Sequence, residues 1–103
     1  MKILAIEREL RNATAHDFRR LARAEAARAW ELYQAGVIRE LYYRRDRTEA
    51  VLILECADSE EAAACLATLP LVQAGLIAFE IIPLAPYPGF ARLFGERPDL
   101  RED

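Results

Sequence analysis

A carboxylate in the middle of an apolar stripe is the first residue of this chain that asks for a chemical explanation. Between Thr14 and Gln34, at about 100° per residue, Phe18, Leu21, Ala22, Ala29, Leu32 and Tyr33 fall on one side of a helix. Glu25 falls near the centre of that same side. Burying an ionised carboxylate is expensive unless it is paired, hydrogen-bonded or protonated. One reading is a group held between helix and sheet, its pKa raised by desolvation, able to move a proton. The other is a structural glutamate that pairs with an arginine of the sheet, such as Arg39, or reaches out along the helix edge.

Arg39 alternates with Val37 and Leu41 in a strand-like run and so shares their face. There it could hold a substrate carboxylate through two parallel N–H···O bonds, or serve as an ion-pair or interface residue. Trp30, Tyr33, Tyr42 and Tyr43 are candidates to line a pocket for a flat organic molecule, with core or interface packing as the alternative. Glu55 and Glu80 sit in strand-like runs with apolar neighbours, where strand-end carboxylates reaching water are the plainer reading. His16, the sole histidine, falls opposite the apolar stripe beside Arg19, Arg20 and Arg23, on what reads as a solvated face. A lone histidine without nearby cysteines is a poor metal ligand, so no metal site is expected. Cys56 and Cys65 form no CxxC; Cys65 recurs with Ala62, Leu66 and Leu69 at helical spacing and reads as core filler. There is no glycine-rich phosphate loop, GxSxG or HExxH.

These residues need elements to position them. Residues 2–8 form a first strand, with β-branched Ile3 and Ile6. Thr14 with Asp17 resembles a capping box at the start of the long helix, Ala22 to Ala29 favour helix by propensity, and Gly36 ends it. Residues 37–44 are a second strand and 50–56 a third, almost wholly apolar and therefore central; the polar turn Arg45-Asp46-Arg47-Thr48 makes them a hairpin. Asp58 or Ser59 caps a second helix from Glu60 to about Leu69, which Pro70 stops. Leu71 to Gly75 is a turn or short helical piece, and residues 76–84 are the fourth strand. Pro83, Pro86 and Pro88 then imply an extended arm from about residue 83, with Phe90, Leu93 and Phe94 as a small apolar face, and 96–103 a charged, flexible tail.

The order β-α-β-β-α-β in one α+β domain over 1–95 predicts a ferredoxin-like sandwich, four antiparallel strands backed by two helices. The sheet residues Val37, Leu41, Tyr43, Val51, Ile53, Ile82 and Leu84 are more apolar than a water-facing surface needs. An uncovered apolar face predicts association, most simply a two-fold dimer, sheet against sheet, with the proline-rich arm wrapping the partner.

The 103 residues are 53% hydrophobic and 30% charged, ordinary for a globular protein, with net charge −3 and pI about 5.2. That balance argues against nucleic acid and against anionic membranes as partners. No apolar run is long enough to span a bilayer and the first residues do not read as a signal peptide, so a cytoplasmic location is expected.

Two stretches carry a family resemblance. Leu69-Pro70-Leu71, then Phe79-Glu80-Ile81-Ile82-Pro83-Leu84 and Tyr87-Pro88, resemble the carboxy-terminal half of muconolactone isomerases in the dimeric α+β barrel superfamily. Ala24-Glu25, then Gly36-Val37-Ile38-Arg39, are similar to the same family's first half, so the resemblance covers roughly residues 2–90. It implies a ferredoxin-like subunit that dimerises through its sheets and often assembles further. It also implies an enzyme of aromatic-compound degradation that moves a double bond in a small lactone by proton transfer, without metal or organic cofactor. By position, Glu25 matches the acidic residue of the first helix and Arg39 the arginine early in the second strand. The turn from Arg45 to Glu49 and the segment Gly89-Phe90-Ala91-Arg92-Leu93-Phe94 depart from the pattern. The expected function is therefore an isomerase-like enzyme on a small lactone or organic acid, with Glu25 catalytic and Arg39, Tyr33, Tyr42 and Trp30 binding substrate. The alternatives are a non-catalytic ligand-binding or oligomeric scaffold protein, and a cofactor-free monooxygenase of the same superfamily.

Overall fold

A computed structural model describes residues 1–95; the charged tail expected over 96–103 lies outside the described residues. Strand β1 spans Lys2–Glu9, helix α1 Ala15–Gln34, strand β2 Ile38–Tyr43 and strand β3 Ala50–Glu55. Helix α2 spans Ser59–Leu66, a single helical turn α3 Pro70–Gln73, and strand β4 Ile77–Pro83. A 3-10 turn, Gly89–Leu93, follows the proline-rich stretch. The Thr14 hydroxyl accepts from the Asp17 N–H at 3.2 Å and caps α1, and Asp58 caps α2 by accepting from Glu61 N at 2.8 Å. α2 ends at Leu66, three residues before the expected stop. Pro70 opens α3 rather than closing α2, because its fixed φ and missing N–H suit the first helical position.

Both α1 and α3 end in the same Ala-Gly pair. Gly36 N donates to Tyr33 O and Val37 N to Leu32 O; Gly75 N donates to Val72 O and Leu76 N to Leu71 O. These are paired Schellman closures, and they put the glycines at φ 81° and 75°.

The strands form one antiparallel sheet in the order β2-β3-β1-β4, the ferredoxin-like arrangement. Register sets the two faces. Rows Ile38–Leu54–Ile3–Pro83, Leu41–Leu52–Ala5–Ile81 and Tyr43–Ala50–Glu7–Phe79 lie on the side that carries the core residues. Leu4, Ile6, Val51, Ile53 and Ile82 lie on the other, half-buried, rimmed by the Arg8–Glu80 ion pair. The expected parity of β2 fails at one point. Ile38 pairs with Leu54 and Glu40 with Ile53, so Arg39 is an extra residue in a bulge. The bulge moves Leu41 and Tyr43 onto the same face as Ile38 and puts Glu40 and Tyr42 opposite Ile53 and Val51 on the outer face. Arg39 therefore does not share a face with Val37 and Leu41.

The main core joins the sheet to Leu32 of α1, Ala62 and Leu66 of α2, and Leu69. A smaller cluster of Leu71, Leu76 and Ile77 packs on Phe18 and Leu21 at the other end of α1. Among the described residues no helix is long and apolar enough to cross a membrane.

A Cβ added at Gly75 would meet no atom within 4 Å, so its replacement isolates the conformational cost of the left-handed region. Gly75→Ala should lower stability by about 1–2 kcal/mol in urea unfolding; an unchanged midpoint would show that the closure of α3 adds nothing.

Candidate functional site

Helix α1 touches the sheet at both ends and leaves a gap in the middle. Its cavity-facing residues there are Ala22 and Ala26, and the sheet beneath them carries Ala50, so neither surface reaches the other. The result is a cavity of about 860 Å³, within the range of small-molecule sites. Phe18, Leu52, Leu69, Leu71 and Phe79 supply apolar wall, and Leu41 and Tyr43 supply the β2 side.

Glu25 bounds this cavity from the helix. Its Oε1 accepts from the Leu71 N–H at 2.9 Å. That amide is the first with a hydrogen in α3, because Pro70 precedes it, and the short helix leaves it without an internal partner. Among the described residues Glu25 takes no ion pair. Burial raises its pKa, and the Leu71 hydrogen bond opposes the rise.

Glu7, which residue reasoning passed over, faces the same cavity from the central strand β1. It is only 7% exposed, and its Oε1 accepts from Ala50 N at 3.1 Å. Burial raises its pKa, the Ala50 bond opposes, and the charges of Glu49, Glu25 and Glu9 push it further up. The signal was present in the spacing. Ile3, Ala5 and Glu7 alternate along one strand, so a buried Ile3 and Ala5 bring Glu7 to the core face as well. Glu49 is equally buried, but its environment differs. Its Oε2 accepts from Glu9 N at 3.0 Å, and Oε1 lies 3.8 Å from Arg44 Nη1 and 3.6 Å from Arg47 Nη1.

The other expected site residues gather beside this cavity. Trp30, Tyr33, Arg39 and Tyr42 line a second, more open hollow that shares Ala26, Ala29, Leu41 and Tyr42 with the first. Trp30 and Tyr33 are stacked, 5.6 Å apart at 19°, and both are exposed, so Tyr33 is not part of the helix's buried stripe. Arg39 turns back on the helix end and donates from Nε to Gly36 O at 2.7 Å. It does not pair with Glu25. Tyr42 donates its hydroxyl to Glu40 at 2.9 Å, which raises its pKa. Among the described residues no group of three His, Cys, Asp or Glu side chains could hold a metal ion.

The raised pKa values of Glu7 and Glu25 set a sign for stability. A carboxyl harder to ionise when folded adds most below its unfolded pKa, and that contribution is lost as pH rises through the folded value. Glu7→Gln keeps an acceptor for Ala50 N and removes the charge. It should be more stable than the parent protein at about pH 8, with the difference closing towards about pH 4, near the ordinary glutamate pKa. Urea midpoints across that range check it; a variant weaker at every pH would refute the burial penalty.

Comparison with known proteins agrees with this architecture. The family model described as muconolactone delta-isomerase matches residues 5–89. Among solved structures, the chain is similar to a 5-chloro-2-hydroxyhydroquinone dehydrochlorinase from Burkholderia phenoliruptrix AC1100, in complex with 2,5-dihydroxybenzoquinone. The TM-score is 0.64 at 19% identity, over 81% of this chain and 93% of that one, which is a likeness of fold. No curated protein matches the sequence. With 85 consecutive residues matched, from 5 to 89, the chain belongs to the muconolactone delta-isomerase family.

Proposed function

We propose that the chain is a cofactor-independent proton-transfer enzyme of the muconolactone isomerase type, acting on a small lactone or organic acid, with Glu25 as general acid and base. The observation that carries this reading is a carboxyl bounding a cavity of about 860 Å³ with one oxygen tethered to a backbone amide and, among the described residues, no cation paired to it. A structural glutamate would be neutralised by a neighbour; Arg39, the expected neighbour, donates to Gly36 O instead. A desolvated carboxyl with a raised pKa is better matched to taking and returning a carbon-bound proton near neutral pH. The chemistry asks for no cofactor, since a double-bond shift beside a carbonyl moves only a proton and an electron pair.

Arg39 is the proposed anchor for a substrate carboxylate: its Nε bonds Gly36 O, and its Nη groups take no hydrogen bond among the described residues. The stacked Trp30–Tyr33 pair and Tyr42 give the hollow beside it a flat face for an unsaturated ring. Family membership and the dehydrochlorinase likeness both lie with enzymes of small organic molecules. Glu25→Gln keeps the acceptor for Leu71 N, so it should fold normally and lose about 10²–10⁴-fold in turnover of muconolactone or a related lactone. Arg39→Gln should raise KM about tenfold with little change in kcat. Absorbance assays over a lactone panel read both, and full turnover by the Glu25 variant would sink the mechanism.

The working unit is proposed to be a homodimer or a larger homo-oligomer. Leu4, Ile6, Val51, Ile53 and Ile82 form one continuous aliphatic face of the sheet, with no helix of the described residues over it. Two copies meeting by a two-fold axis would cover it. Ile53→Asp places an unpaired charge at its centre and should shift the sedimentation coefficient to that of a monomer; an unmoved assembly would rule this face out as the contact.

A further inference from the structure

We propose that Glu7 is a second proton-carrying group of this cavity, so that the site works with two carboxyls, Glu7 on the sheet and Glu25 on the helix, on opposite sides of a flat substrate. The inference rests on the proton-transfer reading above and deepens it. β1 runs between β3 and β4, and Glu7 stands in the row Tyr43–Ala50–Glu7–Phe79 on the face that α1 spans. An aliphatic side chain there would extend the Ile3–Ala5 row and serve the core better than a carboxyl. Instead the carboxyl is held by one oxygen on Ala50 N at 3.1 Å, and its Oε2 takes no partner among the described residues. Glu25 is held in the same way, Oε1 on Leu71 N. Each carboxyl thus has one oxygen fixed by a backbone amide, and both residues line the same cavity. The charged groups around Glu7 are Glu25 across the cavity, Glu9 on its own strand, Glu49 with Arg44 and Arg47 at the hairpin, and Arg19 on the α1 wall. None of these cations forms an ion pair with Glu7 or Glu25 among the described residues. Two carboxyls that line one cavity with no ion-pair partner among the described residues favour a state that shares one proton, and the charge of Glu25 adds to the rise of Glu7.

The step balances with no other reactant. The ionised carboxyl removes a proton from the carbon beside the carbonyl, and the C–H electron pair becomes a C=C bond as charge moves to oxygen. The protonated carboxyl then gives its proton to the distal carbon, the charge returns through the chain of double bonds, and the double bond has moved. The substrate keeps its formula. The pair keeps its single proton, now on the other carboxyl, and exchange with water resets it.

Three measurements test this. Glu7→Gln retains the acceptor for Ala50 N and should lower kcat by about 10²-fold or more with KM little changed. Turnover in D2O should place solvent deuterium on the face opposite the proton removed, whereas a single carboxyl would work on one face. In protein with 13C-labelled glutamate carboxyls, Glu25→Gln should lower the pKa of Glu7. Wild-type kcat in Glu7→Gln, same-face transfer, or a Glu7 titration indifferent to Glu25→Gln would each overturn the proposal. If the parent protein turned over no lactone, the proton-transfer reading would fall on its own. The carboxyl titration, read on the protein without substrate, would still uphold or overturn the coupling of the two groups.

Discussion

The structure depends on how α1 meets the sheet. Leu32, with Ala29, is locked into the main core, and Phe18 and Leu21 pack on the Leu71–Leu76–Ile77 cluster. Two anchored ends fix the helix as a beam. Between them Ala22 and Ala26 are too small to fill the space over Ala50. Protein interiors are close-packed, and walls that face empty space forfeit dispersion contacts. A gap of about 860 Å³ held open by alanines is thus a standing cost that larger side chains would remove. The same alanines favour helix by propensity while keeping its face shallow.

That gap gives the two carboxyls their character. A buried carboxylate is stabilised by cations or by hydrogen bonds, and the chain uses both solutions within a short distance. Glu49 lies near two guanidinium groups and one backbone amide, as part of the hairpin's framework. Glu7 and Glu25 have one backbone amide each, from Ala50 and Leu71. A single amide orients a carboxyl without neutralising it, so burial prevails and both pKa values rise. Orientation without neutralisation is what a group that exchanges protons needs. Substituting an arginine partner would stabilise the charge and remove its reason to pick up a proton.

Much of this was legible in the residues. The six main elements follow from apolar runs of the right length and from caps whose chemistry is local: Thr14 with Asp17, Asp58, and the Ala-Gly pairs at 35–36 and 74–75. Glu25 announced itself because a helix period puts it among apolar side chains. Glu7 did not, because strand alternation decides burial only once the covered face is known, and Ile6 beside it is as apolar as Ile3. Arg39 was misplaced for a related reason. Alternation assumes one residue per register step, and a bulge is a pairing between strands that no run of residue types displays. The separation of Trp30 and Tyr33 from the Glu25 cavity is likewise a matter of helix placement: Ala26 and Ala29 lie on the border of the two hollows and the stacked rings are exposed.

The bulge ties the two proposed roles of the sheet together. With Arg39 taken out of register, Leu41 and Tyr43 come round to the cavity side. Glu40 and Tyr42 go to the outer side, in line with Ile53 and Val51. Without the extra residue the parity would invert: a carboxylate would face the helix side at position 40, and Leu41 and Tyr43 would join the outer face. One inserted residue therefore keeps the cavity wall apolar and aromatic on one side and gives the opposite face a polar edge beside its aliphatic centre. It also re-aims the Arg39 side chain, which folds back on Gly36 and lines the second hollow. Bulges recur beside functional sites because they re-aim a side chain without breaking the sheet. Here the re-aimed residue brings a guanidinium to the hollow beside a cavity whose two acids, Glu7 and Glu25, form no ion pair among the described residues.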